Sequence, residues 1–129
     1  MPAEWQRWLA FAEENRRVAV LCLESGFFNP CLQNAQQAVE KALKALCLSV
    51  GLPLKKTHSI GELRGDLLRA GLGIELTDDD ADLLDTIYLP SKYPLGSVLP
   101  EFHPDAQTAR RCVSMADQVL THVAKRLQS

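Results

Sequence analysis

A chain of 129 residues, 47% hydrophobic and 23% charged, holds enough apolar content for one buried core and excludes a disordered or low-complexity polypeptide. Its formal net charge of −2 excludes a general attraction to nucleic acid or anionic membrane, so any anion site has to be a local patch. The four cysteines (Cys22, Cys31, Cys47, Cys112) form no Cys-x-x-Cys pair, which speaks against zinc and for buried free thiols in a reducing compartment.

The opening MPAEWQRW lacks the basic start and apolar run of a secretory leader, and Val18 to Leu23 is too short to span a bilayer. A cytoplasmic protein is therefore expected, with residues 1–129 in one domain and no membrane partner. The first helix is predicted from about Ala3 to Ser25, with Trp5, Trp8, Leu9, Ala12, Ala19 and Leu23 as its apolar stripe. Arg16 falls on that stripe and reads as a guanidinium that reaches solvent or pairs with a carboxylate, in preference to an anion contact. Gly26 ends the helix, and Phe27 and Phe28 are expected to plug the turn into the core.

The second helix, Asn29 to Gly51, is predicted to be the centre of a bundle. Asn29 is expected to cap it, with Pro30 at the first helical position and Gly51 at a left-handed stop. Leu32, Ala35, Val39, Leu43, Leu46 and Val50 make one buried stripe. Cys31, Ala38, Ala42 and Ala45 lie beside it, small enough to admit a second helix closely. Gln33, Gln37, Glu40, Lys41 and Lys44 form the polar face, with Glu40 and Lys44 as an i,i+4 pair.

A loop from Leu52 to His58 carries Lys55 and Lys56. Ser59 and Glu62 fit a capping box for a short third helix, about Ile60 to Ala70, which buries Ile60, Leu63, Leu67 and Ala70. Gly71-Leu72-Gly73 is not a dinucleotide fingerprint, since it follows a helix and lacks the third glycine. Thr77 to Asp80 open a fourth helix with Ala81, Leu84, Ile87 and Tyr88 facing inward. The acidic run suits a helix start and needs no metal. Leu89 to His103 has three prolines and no helical period, and reads as a long irregular loop. Pro104 is expected at the first position of the last helix, Pro104 to Leu127, whose stripe is Ala106, Ala109, Val113, Ala116, Leu120, Val123 and Leu127. Cys112 and Val119 lie beside it. No segment alternates as a strand does. The fold class is all-α: an up-and-down bundle of three long and two short helices.

No nucleophile elbow, P-loop or His-Glu-x-x-His motif is present. His58, His103 and His122 are far apart, and each taken singly reads as structural, with His122 on the polar face of the last helix. The better candidate for a site is a combination. Tyr88 and Tyr93 can hold a planar group while Lys92 offers charge to a phosphate, and Lys41, Lys44, Lys55 and Lys56 would extend a basic surface. On residue types alone, tyrosines that pack the loop and lysines in water account for the pattern better.

Three passages change that balance: Ala35-Gln36-Gln37-Ala38-Val39-Glu40-Lys41-Ala42-Leu43-Lys44-Ala45-Leu46, then Thr57-His58-Ser59-Ile60 with Glu62-Leu63, then Tyr88-Leu89-Pro90-Ser91-Lys92-Tyr93-Pro94. In order and spacing they resemble the HEPN family, the higher-eukaryote and prokaryote nucleotide-binding domain, over nearly the whole chain. The resemblance implies an up-and-down helical bundle, commonly dimeric. It also implies one of several activities: partnership with a small nucleotidyltransferase, RNA cleavage as a toxin, or nucleotide binding. The ribonuclease branch carries an arginine followed four to six residues later by a histidine, and no arginine here has one. Lys92 and Leu95 stand where the tyrosine–proline segment commonly has arginine and aspartate. Asn15 stands where the first helix commonly has an acid.

These departures favour a non-catalytic module that binds a nucleotide (ATP or GTP) or a nucleotidyltransferase, as a homodimer. Lys92, supported by Lys41 and Lys44, would contact phosphate, Tyr88 and Tyr93 would shape the pocket, and His58 would lie beside them. No catalytic residue, metal or cofactor is expected. The alternatives are a ribonuclease with His58 or His103 as base, and a dimeric assembly protein.

Overall fold

Residues 29–51 carry small side chains beside a leucine–valine stripe, and that face organises the bundle. The computed structural model describes residues 3–88 and 104–128. They form five helices and no strand: α1 (Glu4–Glu24), α2 (Phe28–Ser49), α3 (Ile60–Arg69), α4 (Asp78–Tyr88) and α5 (Ala106–Gln128). α2 packs against each of the other four, most extensively against α1 and then α5. Leu32, Ala35, Ala38, Val39, Ala42 and Leu43 are fully buried in that seam. Alanine at this spacing lets backbones approach, and the leucines fill the remaining gaps at native density. From α1 the seam receives Ala12 and Ala19; from α5 it receives Ala109, Cys112, Ala116 and Val123. No helix of the described residues is long and apolar enough to cross a membrane.

The helix ends follow from glycine. At Gly26 and Gly51 the backbone turns to φ +78° and +84°, a region costly for any residue with a Cβ. That turn lets Phe27 N–H donate to the Cys22 carbonyl (2.8 Å), and Leu52 N–H to that of Cys47 (2.9 Å), closing both last turns. The connection from α1 to α2 is so short that the two helices form an antiparallel hairpin.

Several local expectations are corrected. α2 begins at Phe28, one residue before Asn29 and two before Pro30, with Phe27 in the capping position and no side-chain cap. Asn29 instead accepts a weak bond from Gln33 one turn on (3.5 Å). Phe27 is 63% exposed, while Phe28 packs against the core, because only one side of so tight a turn can face inward. Val50 is exposed, past the end of the stripe. Ala70 is exposed too, since α3 has ended by then. Pro104 lies outside α5. Asp105 does the capping, its carboxylate accepting from Thr108 N–H at 2.7 Å. That bond is the main cause holding the Asp105 carboxyl below its ordinary value.

Candidate functional site

Gln36, Glu40 and Lys44 follow one another at four-residue steps along α2, so they line up on one strip of the helix. Glu40 and Lys44 do pair as expected, but the strip is buried: Gln36, Glu40 and Lys44 are 0%, 2% and 4% exposed. The polar-face reading of Glu40 and Lys44 is thereby corrected. α1 and the lead-in to α3 close over both sides of that strip. Burial of a charge is tolerated only with partners, and each of these groups has them. Glu40 Oε2 accepts from Lys44 Nζ at 3.0 Å, and Oε1 accepts from Gln36 Nε2 at 3.3 Å. Gln37 Nε2 in turn donates to Gln36 Oε1 at 2.7 Å. The Lys44 ammonium also lies 5.4 Å from the centroid of a Trp8 ring, within cation–π range.

His58 reaches this layer from the loop before α3. Its Nδ1 is 3.2 and 3.3 Å from the two Glu40 oxygens. A carboxylate that faces Nδ1 selects the tautomer with the proton there, donating to Glu40. The ring stacks on Tyr88 of α4, centroids 4.4 Å apart and planes 14° from parallel. Glu40 therefore anchors His58, and His58 and Tyr88 hold each other flat. His58 Nε2 has no hydrogen-bond partner among the described residues.

Asp85 lies one turn before Tyr88 on α4. Its Oδ1 accepts from Ile60 N–H at 2.5 Å, and its Oδ2 from Gly61 N–H at 3.2 Å and from the Ser59 hydroxyl at 3.1 Å. Ser59 Oγ meanwhile accepts from Glu62 N–H at 3.1 Å. The forward half of the expected capping box forms; the return half does not. Glu62 instead takes the Thr57 hydroxyl at 2.7 Å and Lys55 at 3.3 Å. The unpaired N–H groups that open α3 are thus satisfied by a carboxylate of the chain itself. Beside this junction an open pocket of about 530 Å³ is lined by His58, Ser59, Asp82, Asp85, Thr86 and Tyr88. No lysine or arginine is among the described residues that line it. Asp82 pairs with no cation there.

The residues singled out in the sequence are therefore partly assembled. His58 and Tyr88 meet, and Lys44 lies behind His58 on the same carboxylate. Lys41 is elsewhere, donating to Asn15 Oδ1 at 2.8 Å with its ammonium 5.8 Å from the Phe11 centroid. Lys92, Tyr93 and His103 lie outside the described residues. Lys55 pairs with Asp66 (2.8 Å) and Glu62 (3.3 Å). Hydrogen bonding to Asp66 first, then Glu62, raises its pKa. The same contact is the main cause holding Asp66 below its ordinary value, whereas for Glu62 the Thr57 hydroxyl leads. Arg16 pairs with Glu13 (3.3 Å) and Asp117 (3.2 Å), in line with the carboxylate reading. In the acidic run, Asp78 pairs with Arg64 and Asp80 with Arg111. No group of acidic, histidine or cysteine side chains among the described residues could hold a metal. His122 is half-buried, its Nε2 enclosed without a partner, so it lies less on the polar face than its spacing implied. Cys31, Cys47 and Cys112 are free and buried. Loss of hydration pushes the first two thiols up to about 11 and Cys112 to about 12, far from a reactive thiolate.

Sequence reasoning missed Asp82, Asp85 and the role of Glu40. One signal was available for the aspartates. Asp85 precedes Tyr88 by three residues and Asp82 precedes it by six, spacings that put all three near one face of a helix.

Comparison with known proteins agrees with the helical fold. The family model described as HEPN domain matches residues 5–127. The crystal structure of TT1696 from Thermus thermophilus is similar at a TM-score of 0.79 and 31% identity, over 95% of this chain and 98% of that one. ST0689, an archaeal HEPN homologue, is similar at a TM-score of 0.64 and 25% identity, over 98% of this chain and 99% of that one. No curated protein matches the chain.

Proposed function

The chain belongs to the HEPN family, and from that footing we propose that it is a non-catalytic partner module, a homodimer that docks a small nucleotidyltransferase of the kind that accompanies many HEPN proteins. One observation carries this reading. The α2 lysines that would have served a phosphate are engaged within the fold, Lys44 with Glu40 and Lys41 with Asn15. The open pocket is lined by two carboxylates instead. A triphosphate brought there meets like charge, whereas a protein surface can supply the opposite sign. The absence of an arginine four to six residues before any histidine supports a binding role over RNA cleavage.

Nucleotide binding is the second reading, and the flat His58–Tyr88 stack supports it, since a base can lie against such a face. Calorimetry separates the two. Titration with a small nucleotidyltransferase is expected to give saturable binding, while ATP and GTP leave the melting midpoint unchanged. A dose-dependent rise in the midpoint with one nucleotide, and no heat with the transferase, would transfer the function to the second reading.

A further inference from the structure

We propose that the pocket between the α3 lead-in and α4 receives a guanidinium, supplied by an arginine side chain of the protein partner. This rests on the partner-module reading above and names the chemistry that the partner must bring.

Three features of the pocket select that group. The first is charge. Asp82 is exposed, pairs with no cation among the described residues, and shares the lining with Asp85. Asp85 is already hydrogen-bonded by Ile60, Gly61 and Ser59, which fixes its position and occupies both its oxygens. Asp82 is therefore the carboxylate that is open to a new partner. The second feature is shape. The rings of His58 and Tyr88 stack on each other and both line the pocket, so the outer face of the half-exposed His58 ring is a flat π surface for a planar cation, with carboxylates in the same lining. A lysine ammonium has the charge but neither the plane nor the fork of donors. The third is pre-organisation. His58 is clamped from behind by Glu40, itself neutralised by buried Lys44, so the platform does not have to be ordered when the ligand arrives. At a volume of about 530 Å³ the pocket has room for one arginine side chain and part of its backbone. A guanine base also stacks and can donate to a carboxylate, but its phosphates would add negative charge beside Asp82 and Asp85. A guanidinium adds none.

The test uses the whole chain and a probe that needs no partner protein. N-acetyl-arginine amide is titrated while backbone and His58 ring signals are followed by NMR, with the citrulline amide as an uncharged analogue and GMP as the base-bearing competitor. Arginine amide is expected to give saturable shifts at His58, Ser59, Asp82 and Thr86. Asp82→Asn is expected to weaken it roughly fivefold, the effect of losing one exposed charge pair. Because Asp82 is exposed, the variant keeps its melting midpoint, which excludes misfolding as the cause. Equal shifts with citrulline amide would overturn the proposal, as would shifts confined to Asp78 and Asp79, or perturbation of the pocket by GMP and not by arginine amide. The two claims fail separately. A chain that binds arginine amide but no transferase keeps the pocket and loses the partner assigned above. A chain that binds the transferase with no response to arginine amide does the reverse.

Discussion

The two sides of α2 are built on different physics. Toward α1 and α5 it presents alanines, leucines and Val39, fully buried and packed on side chains as small as their own. Between α1 and the α3 lead-in it presents Gln36, Glu40 and Lys44, equally buried but held by hydrogen bonds and charge. The first region gains stability by excluding water. The second adds little net stability, because a buried ion pair of good geometry only roughly offsets its own desolvation. An apolar seam would have served the fold as well or better. The difference teaches that the charged layer fixes where His58 and Tyr88 stand, and that the pocket is where stability has been traded for position.

The largest expected effect breaks the charged layer directly. Glu40→Ala leaves Lys44 buried without its counter-ion and is expected to cost about 3–5 kcal/mol by denaturant unfolding. The double variant Glu40→Leu with Lys44→Met should recover most of that loss while His58 loses its anchor. If the double variant is as unstable as the single one, the layer is structural and the contrast drawn above collapses. On the apolar side, Leu43→Ala is expected to cost about 3 kcal/mol, with no change in the His58 ring signals. A shift of those signals would show that the two regions are coupled.

Asp85→Ala sharpens the comparison at the junction with α3. It frees two backbone N–H groups and the Ser59 hydroxyl, and is expected to cost about 1–3 kcal/mol, seen as faster amide exchange at Ile60 and Gly61. The smallest effect comes from the exposed Lys55 cluster. Glu62 and Asp66 have pKa values held below their ordinary 4.5 and 3.8. Their contribution is whole above those values and is lost as pH falls through the lower folded-state ones. The melting midpoint should therefore fall slightly from about pH 4.5 downward, less so in Lys55→Ala and less so at high salt. An unchanged pH profile in Lys55→Ala would show that these pairs contribute nothing.

Much of the bundle was legible because helical periodicity and glycine stops are local. Leu32, Ala35, Val39, Leu43 and Leu46 are buried as their spacing implied, and Gly26 and Gly51 end their helices at positive φ. The ends that failed were those decided by neighbours. Asn29 and Pro30 look like a start, but the tight turn from α1 moves the start back to Phe28. The site was harder to read for the same reason. Whether Glu40 and Lys44 face water or core depends on what covers them, and the covering residue, His58, comes from a loop 18 residues on. Asp85 acts across 25 residues on Ile60, a pairing that no local pattern encodes. His58 and Tyr88 were both singled out, yet their stacking is a tertiary fact.

The most direct test of the account is a calorimetric titration of a small nucleotidyltransferase onto the wild-type chain and onto Asp82→Lys. Reversing one exposed charge leaves the fold intact, so the two proteins should melt alike. Saturable binding is expected for the wild type and binding weaker by about tenfold or more for the variant, since the substitution sets two cations face to face. Equal affinity for the two proteins, or no binding by the wild type, would contradict it.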